Sequence, residues 1–254
     1  MNTVGYQRRF YRDWTAGSRL RRIRVCVEET DILIFSDRAV DRAYCIERIS
    51  AYRGQIRTYI ARDERFLTGL EPVVVERNAP PLIRDMAAAA RKADVGPMAA
   101  VAGAIAGRLG RDLLARGCRD VIVENGGDIF MKARTSVVVG LFAGRSALSG
   151  RIRLRVDPGL MPCGMCTSSG TVGHSLSFGR ADAAVIVAAN AALADAVATA
   201  AGNRVRTAGD CSSAIGFARS VRGVKGILLV IGNTVASWGA ITLAGPAARN
   251  NLRD

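Results

Sequence analysis

The stretch CTSSGTVGHSLSFGRADAAVIVAANAALADAVATAAGN, from Cys166 to Asn203, joins a Gly/Ser/Thr-rich segment to an apolar run and an Ala-rich run. The apolar run Asp182–Ala189 is short and continuous, which favours a buried β-strand over a helix. Asn190 is a typical N-cap residue and Gly202-Asn203 is a typical stop signal. The stretch therefore predicts a loop, a buried strand and a helix from residue 191 to about residue 201.

Asp195 and Thr199 lie four residues apart in this predicted helix, so both side chains share one face. The neighbouring residues are Ala, Leu and Val, and we therefore expect the carboxylate to be partly buried. A Mg²⁺ ion, which prefers oxygen ligands, would compensate the buried charge. Alternatively, Asp195 forms an ion pair with an arginine while Thr199 bonds to the carbonyl one turn earlier. Spacing alone leaves both interpretations open.

Length and composition favour one large folded unit. The chain has 254 residues, of which 49% are hydrophobic, and can therefore bury a sizeable core. We expect a single domain over residues 1–254, with an N-terminal arm of about residues 1–20. No stretch is long and apolar enough to span a membrane, and the first residues lack the apolar core of an export signal. These features predict a cytoplasmic protein.

The formal net charge is +14, and most of the positive charge comes from arginine. Arginine recognises phosphate well, so a nucleotide or nucleic-acid ligand has to be considered. The arginines are scattered, however, and no nucleic-acid-binding motif accompanies them. The pattern favours a generally basic surface over a nucleic-acid interface.

Among the six cysteines, only Cys163 and Cys166 have the spacing of metal ligands. A structural zinc site needs four ligands, and only His174 and Cys211 could complete this one. The alternative is that all the cysteines are free thiols in a reducing compartment.

The rest of the chain predicts alternating groups of strands and helices. Arg22–Glu28 and Thr30–Phe35 predict a hairpin. Further strands are expected near residues 72–75, 137–143, 151–156, 226–231 and 235–243, and further helices near 37–62, 82–92, 97–116 and 210–221. Gly103, Gly107 and Gly110 lie inside the 97–116 helix, where glycine is costly, which indicates close approach of a ligand or of the Ala-rich helix.

The segment Asp120–Phe130, DVIVENGGDIF, predicts two strands joined by a tight turn. A plain β-hairpin is one interpretation of the turn Asn125–Asp128. The other is a nucleotide site, because two adjacent glycines expose backbone N–H groups that a ligand can approach closely.

Five motifs together resemble the ordered motifs of the ApbE family of flavin transferases, in its poorly characterised cytoplasmic branch. They lie between about residues 90 and 203: DVGPMAA from Asp94, VENGGD from Val123, TSSG from Thr167, His174, and ADAVATA from Ala194.

The resemblance implies an α+β fold in which antiparallel sheets pack against helices. ApbE-like proteins bind FAD, and the enzymes use Mg²⁺ to split its pyrophosphate and transfer FMN to a Ser or Thr of an acceptor protein. Others hydrolyse FAD to FMN and AMP. By this resemblance the metal ligands are the side chains of Asp195 and Thr199 and the backbone carbonyl near Ala99. His174 matches the histidine of a family motif, and we choose it as the residue that would assist proton transfer. The flavin-binding residues are Asn125, Gly126, Gly127, Asp128, Thr167, Ser168 and Ser169.

Two departures from the family pattern leave two functions open. Ala100-Val101 stand where the family has Lys-Gly, and no Asp-Pro follows His174. The missing lysine removes a cation that could meet a phosphate. One hypothesis is a Mg²⁺-dependent enzyme acting on FAD, and the other is a non-catalytic flavin or nucleotide carrier. The sequence leaves open whether the protein is a monomer or a homo-oligomer.

Overall fold

The computed structural model describes residues 20–144, 146–170 and 178–244. The strands are β1 (Arg21–Val27), β2 (Thr30–Ser36), β3 (Val121–Asn125), β4 (Asp128–Lys132), β5 (Val137–Gly140), β6 (Arg153–Val156), β7 (Cys163–Ser168), β8 (Ala183–Ala188), β9 (Val224–Ile231), β10 (Thr234–Gly239) and β11 (Thr242–Leu243). The α-helices are α1 (Arg42–Arg62), α2 (Arg65–Thr68), α3 (Pro81–Ala93), α4 (Val101–Ala115), α5 (Ala191–Asn203) and α6 (Cys211–Ser220). A 3₁₀ turn at Pro97–Ala100 leads directly into α4.

The strands form two antiparallel sheets. The large sheet has the order β1-β2-β3-β4-β7-β8-β9-β10, and the small sheet has the order β11-β6-β5. Each pair of neighbours runs antiparallel. The predicted α+β class, with antiparallel sheets packed against helices, is confirmed.

The large sheet is covered on both faces. Side chains alternate between the faces along each strand, so Ile34 joins the core beneath the helices while Leu33 joins the core on the side of the small sheet. The same alternation places Ile186 with the helices and Val187 with the small sheet. Burial on both faces explains why the central strands are continuously apolar.

The strand and helix predicted from the opening stretch are both present. The strand expected at Asp182–Ala189 is β8, and α5 begins after Asn190, whose side-chain oxygen accepts the Leu193 N–H at 2.9 Å. Helix α5 continues to Asn203, about two residues beyond its expected end. Helix α1 starts five residues later than expected, because Asp41 caps it by accepting the Ala43 N–H at 2.8 Å.

Two expectations about strands are wrong. Residues 72–75 form no strand, since the segment lies outside both sheets, and Val74 is 92% exposed. Residues Cys163–Ser168, expected as a loop, form β7. Here the neighbouring strands β4 and β8 supply hydrogen-bonding partners on both sides, and they outweigh the loop-like composition of the segment.

The single-domain organisation stays a prediction, and residues 1–19 of the expected N-terminal arm lie outside the described part. Within the described part, no helix is both long and apolar enough to cross a membrane.

Candidate functional site

The β3–β4 turn brings two of the sequence-predicted segments together. Asn125 pairs with Asp128 across the hairpin, and Gly126 adopts a positive φ of 78° at the turn. The Gly127 carbonyl accepts the N–H of Thr167 at 3.2 Å, and a Cβ on Gly127 would lie 3.2 Å from the Thr167 carbonyl oxygen. The hairpin expected from the sequence is therefore present, and its turn packs against the end of β7.

Asn125 connects this turn to the first residues of α4. Its side chain is buried, with only 8% of the residue exposed, and its Nδ2 donates to the Ala102 carbonyl at 3.2 Å. The side chain therefore points from the sheet toward the helices and fixes the beginning of α4 above the hairpin.

Asp195 faces the same end of α4. Its Oδ2 accepts the Gly103 N–H at 2.8 Å, and the Ala102 N–H also bonds to the carboxylate. These N–H groups belong to the first turn of α4, where no intrahelical acceptor exists for them. Asp195 thus acts as an N-cap supplied by another helix, and the positive end of α4 favours its negative charge.

The close contact between α4 and α5 depends on Gly103. A Cβ on Gly103 would lie 2.8 Å from the Cβ of Asp195 and would also collide with the Ala191 backbone. Gly107 lies in ordinary contact range of Ala191, whereas Gly110 makes room for the Phe130 ring of β4. The expectation that these glycines allow close approach of the Ala-rich helix is confirmed for Gly103, and for Gly110 the partner is the sheet.

Asp128 adds a second carboxylate beside Asp195. It pairs in register with Cys166 on β7, and Cys166 belongs to the core on the helix side, so Asp128 faces α5. Burial raises the pKa of Asp195 well above its ordinary value, and the negative charge of Asp128 raises it further. The N–H groups of Gly103 and Ala102 act in the opposite direction. Asp195 nevertheless keeps part of its surface accessible.

The interpretation that Asp195 is half of an ion pair does not fit the described residues. None of the arginines in residues 20–144, 146–170 and 178–244 lies within ion-pair distance of Asp195. Within the same ranges, the half-buried Thr199 hydroxyl makes no hydrogen bond to the carbonyl one turn earlier. Among the described residues, neither the Asp195 carboxylate nor the Thr199 hydroxyl has the partner that this interpretation gave it.

Ala99 lies in the 3₁₀ turn that precedes α4, and this turn contacts α5. The turn therefore lies beside the end of α4 that Asp195 binds. Within the described part of the chain, no three His, Cys, Asp or Glu side chains cluster as a metal site. One carboxylate, one hydroxyl and one carbonyl are a different donor set, and they fit Mg²⁺, which keeps several waters.

Thr167 and Ser168 end β7, and Ser169 follows it. The Ser168 Oγ lies 3.7 Å from the position that a Cβ on Gly202 would occupy, so this end of β7 lies beside the last turn of α5. The predicted flavin-binding residues thus occupy two adjacent segments at one end of the sheet. His174 lies outside the described residues.

The interpretation of Cys163 and Cys166 as a paired thiol or metal site is wrong. Three residues apart on one strand, they point to opposite faces, and each belongs to a different core cluster. Burial raises the pKa of Cys163 to about 11 and that of Cys166 well above its ordinary value. The six cysteines form no disulfide bond with one another.

Sequence reasoning did not foresee that Asp128, Cys166 and Asp195 face one another. The register of β4 against β7 creates this cluster, and register is a property of paired strands that one strand does not reveal. The sequence signal for the contact between α4 and α5 was Gly103, because a glycine inside a helix indicates that another segment approaches its backbone closely.

A family model described as AbpE bacteria matches residues 12–221 of the chain. The chain is 40% identical over 215 residues to a UPF0280 protein of Methanocella arvoryzae, which covers 85% of this chain and 87% of that relative. It is 44% identical over 193 residues to a UPF0280 protein of Methanothermobacter thermautotrophicus, which covers 74% and 75% of the two chains.

Solved structures with the same fold include two flavin transferases. The apo form of the Pseudomonas stutzeri flavinyl transferase ApbE superimposes with a TM-score of 0.58 at 12% identity, covering 87% of this chain and 95% of the other. For the flavin transferase ApbE from Vibrio cholerae the TM-score is 0.57 at 11% identity, with 87% and 97% covered. Identity this low shows the fold alone. Taken with the family match, these likenesses confirm the resemblance carried by the sequence motifs: the chain belongs to the family described as AbpE bacteria and is an ApbE-like protein.

Proposed function

We propose that this protein binds FAD together with Mg²⁺ and splits the pyrophosphate, passing FMN to a Ser or Thr of an acceptor protein or to water. The observation that carries the proposal is the half-buried Asp195 carboxylate, which lies beside Asp128 and has no cationic partner among the described residues. A divalent cation would remove the cost of this arrangement.

Asp195 and Thr199 would hold the metal, with the Ala99 carbonyl as a third protein ligand. When bound, Mg²⁺ supplies a positive charge that neutralises the phosphates and stabilises the leaving group. The N-terminus of α4 orients the Asp195 carboxylate, because the Gly103 N–H donates to its Oδ2.

The Gly126-Gly127 turn would lie against the nucleotide. Neither residue has a side chain to keep a ligand away from the backbone, and the turn is joined to Thr167 by a hydrogen bond. Ser168 and Ser169, which follow on the same segment, would supply hydroxyl groups to the flavin half. His174 is the residue that we assign to proton transfer.

A second candidate function, a flavin or nucleotide carrier without catalysis, is favoured by one observation. Ala100 stands where the family has a lysine, and it is fully buried in the helix-side core. The chain therefore has an apolar contact at a position where a cation would assist phosphate chemistry.

Incubating the purified protein with FAD and MgCl₂ separates the two candidates. Release of AMP that requires the metal and is lost in Asp195→Asn supports the enzyme. Stoichiometric retention of FAD with no AMP supports the carrier. Asp41→Asn is the matched control, because it is the same substitution at an N-cap far from α5, and asparagine caps as well as aspartate.

The names of the solved structures indicate what to look for. Both are called flavin or flavinyl transferases, so a protein acceptor of FMN is the first partner to test. A cytoplasmic location and a homo-oligomeric state also belong to the proposal. A reducing compartment is consistent with six cysteines that form no disulfide bond with one another.

A further inference from the structure

A cavity of about 170 Å³ opens between α3, α4 and the start of α5, and Asp195 is not among the residues that line it. Helix α5 and β7 run in the same direction, from Ala191 beside Gly164 to Gly202 beside Ser168. The cavity lies at the first of these two ends, whereas the Gly126-Gly127 turn lies at the second. Its polar and apolar lining includes Asp85, Lys92, Arg108, Arg111, Asn190 and Leu193.

One carboxylate holds two of the cavity's guanidinium groups. Asp85 Oδ2 accepts Arg108 Nε at 2.8 Å and Arg111 Nη2 at 3.0 Å. Arg108 Nη2 also donates to the Pro81 carbonyl at 2.9 Å. The two arginines, which lie one turn apart on α4, are therefore held in place before any ligand arrives. Together with Lys92 they bring three positive charges against the single negative charge of Asp85.

Most of the N–H donors of Arg108, Arg111 and Lys92 form no hydrogen bond with the described residues. Each arginine has five N–H donors, and only a minority of them bond within the described part of the chain. Lys92 forms no hydrogen bond or ion pair with any described residue. The start of α5, at Asn190, adds the partial positive charge of a helix N-terminus.

The Arg111 guanidinium lies over Gly107, on the side of α4 that faces α5. A Cβ on Gly107 would lie 3.9 Å from Arg111 Nη1 and 3.6 Å from the Cβ of Ala191, so both groups gather over this glycine. The guanidinium therefore faces the cavity and the beginning of α5.

We propose that this cavity binds a phosphate-sized oxyanion, either inorganic phosphate or the phosphate group of a phosphorylated small molecule. Planar guanidinium forks match the geometry of phosphate oxygens, and a lysine ammonium adds a point charge. Binding here requires neither a metal nor a flavin, so it stands or falls independently of the function proposed above.

Lysine footprinting provides a direct test, because Lys92, Lys132 and Lys225 are the only lysines in the chain. The protein is acetylated in chloride at constant ionic strength with increasing inorganic phosphate, or with increasing AMP, and each lysine is followed by mass spectrometry. We expect saturable protection of Lys92, with no change at Lys132. Protection at lower concentrations of AMP than of phosphate identifies a phosphorylated small molecule as the ligand, and the reverse identifies free phosphate. Equal protection of both lysines, or none at Lys92, would overturn the proposal.

Matched variants locate the binding to this cavity. Arg111→Met should weaken the protection of Lys92 by phosphate about tenfold or more, whereas Arg119→Met, which removes the same charge from an exposed position outside the cavity, should leave it unchanged. Lys92→Met removes no hydrogen bond or ion pair with a described residue, and in this second variant phosphate should raise the melting temperature less than in the parent protein. The proposal is contradicted if Arg111→Met leaves unchanged the phosphate concentration that half-protects Lys92. It is also contradicted if phosphate raises the melting temperature of Lys92→Met as much as that of the parent protein.

Discussion

Replacing Asp195 by asparagine removes one charge and almost no volume. The amide oxygen can still accept the Gly103 N–H, which the carboxylate accepts at 2.8 Å, and asparagine is as good an N-cap as aspartate. The substitution therefore keeps the cap on α4. It removes the charge that is buried beside Asp128 and, in our proposal, the principal ligand of Mg²⁺.

The effect on stability follows from two opposing contributions. Losing the charge-assisted part of the bond to Gly103 costs about 1 kcal/mol. An uncompensated buried charge costs roughly 3–5 kcal/mol when fully buried, and less here because Asp195 keeps some accessible surface. We therefore expect the metal-free variant to be more stable than the parent protein by about 1–3 kcal/mol at pH 8. For a chain of this size that corresponds to a rise in Tm of about 2–12 °C.

The stability gain should depend on pH in one direction. The pKa of Asp195 is raised in the folded state, so between its ordinary value and the raised value the unfolded chain has released a proton that the folded protein keeps. The parent protein therefore loses stability as pH rises through this range, while the amide does not titrate. The difference in Tm between variant and parent should grow from pH 5 to pH 9.

Thermal melts with and without Mg²⁺ and FAD complete the experiment. The parent protein should gain stability from the ligands, by about 2.7 kcal/mol at 100 times the dissociation constant, and Asp195→Asn should gain none. Asp41→Asn should behave as the parent protein. A variant that is several kcal/mol less stable than the parent, with or without metal, would show that the charge itself holds α4 and would refute this reasoning.

Three further predictions concern the packing of α5, the thiols and the histidine. Gly103→Ala should lower the free energy of unfolding by about 2 kcal/mol or more through its clash with Asp195, whereas Gly216→Ala, with open space around it in α6, should raise it by about 0.5–1 kcal/mol; urea unfolding measures both. A thiol reagent at pH 8 should modify the exposed Cys26 long before Cys166, whose pKa is raised by burial; peptide mapping that finds Cys166 modified first would contradict its burial. His174→Ala should reduce AMP release or FAD affinity with little change in Tm, and a large loss of Tm with normal binding would indicate a structural role.

Much of the local structure was predictable because its causes are local. Asn190 marks the start of α5 through its own side chain, and the two-residue turn at Gly126-Gly127 follows from the φ that glycine allows. The continuous apolar run of β8 reflects burial on both faces of the sheet. Where partners in space decide, prediction failed: β7 is a strand because two other strands flank it, and residues 72–75 are not a strand because none does.

The candidate site likewise has one part that local geometry predicts and another that depends on contacts between elements. The shared face of Asp195 and Thr199 follows from helix geometry, and the sequence contains that information. The environment of Asp195 does not follow from helix geometry. The N–H groups that bind the carboxylate come from α4, and the like charge of Asp128 comes from β4. The sequence predicted an arginine as the alternative partner, and the structure instead provides a helix terminus.

The helix terminus makes metal binding at Asp195 more plausible physically than an arginine partner would. An arginine would neutralise the carboxylate and occupy its oxygens, which leaves little affinity for a cation. The first turn of α4 offers only partial positive charge and fixes one oxygen, Oδ2, through Gly103. The charge of Asp128 makes the electrostatic potential around Asp195 more negative. The fold thus holds Asp195 in a defined orientation without neutralising it, and a divalent cation is the ligand whose charge and oxygen preference fit that arrangement.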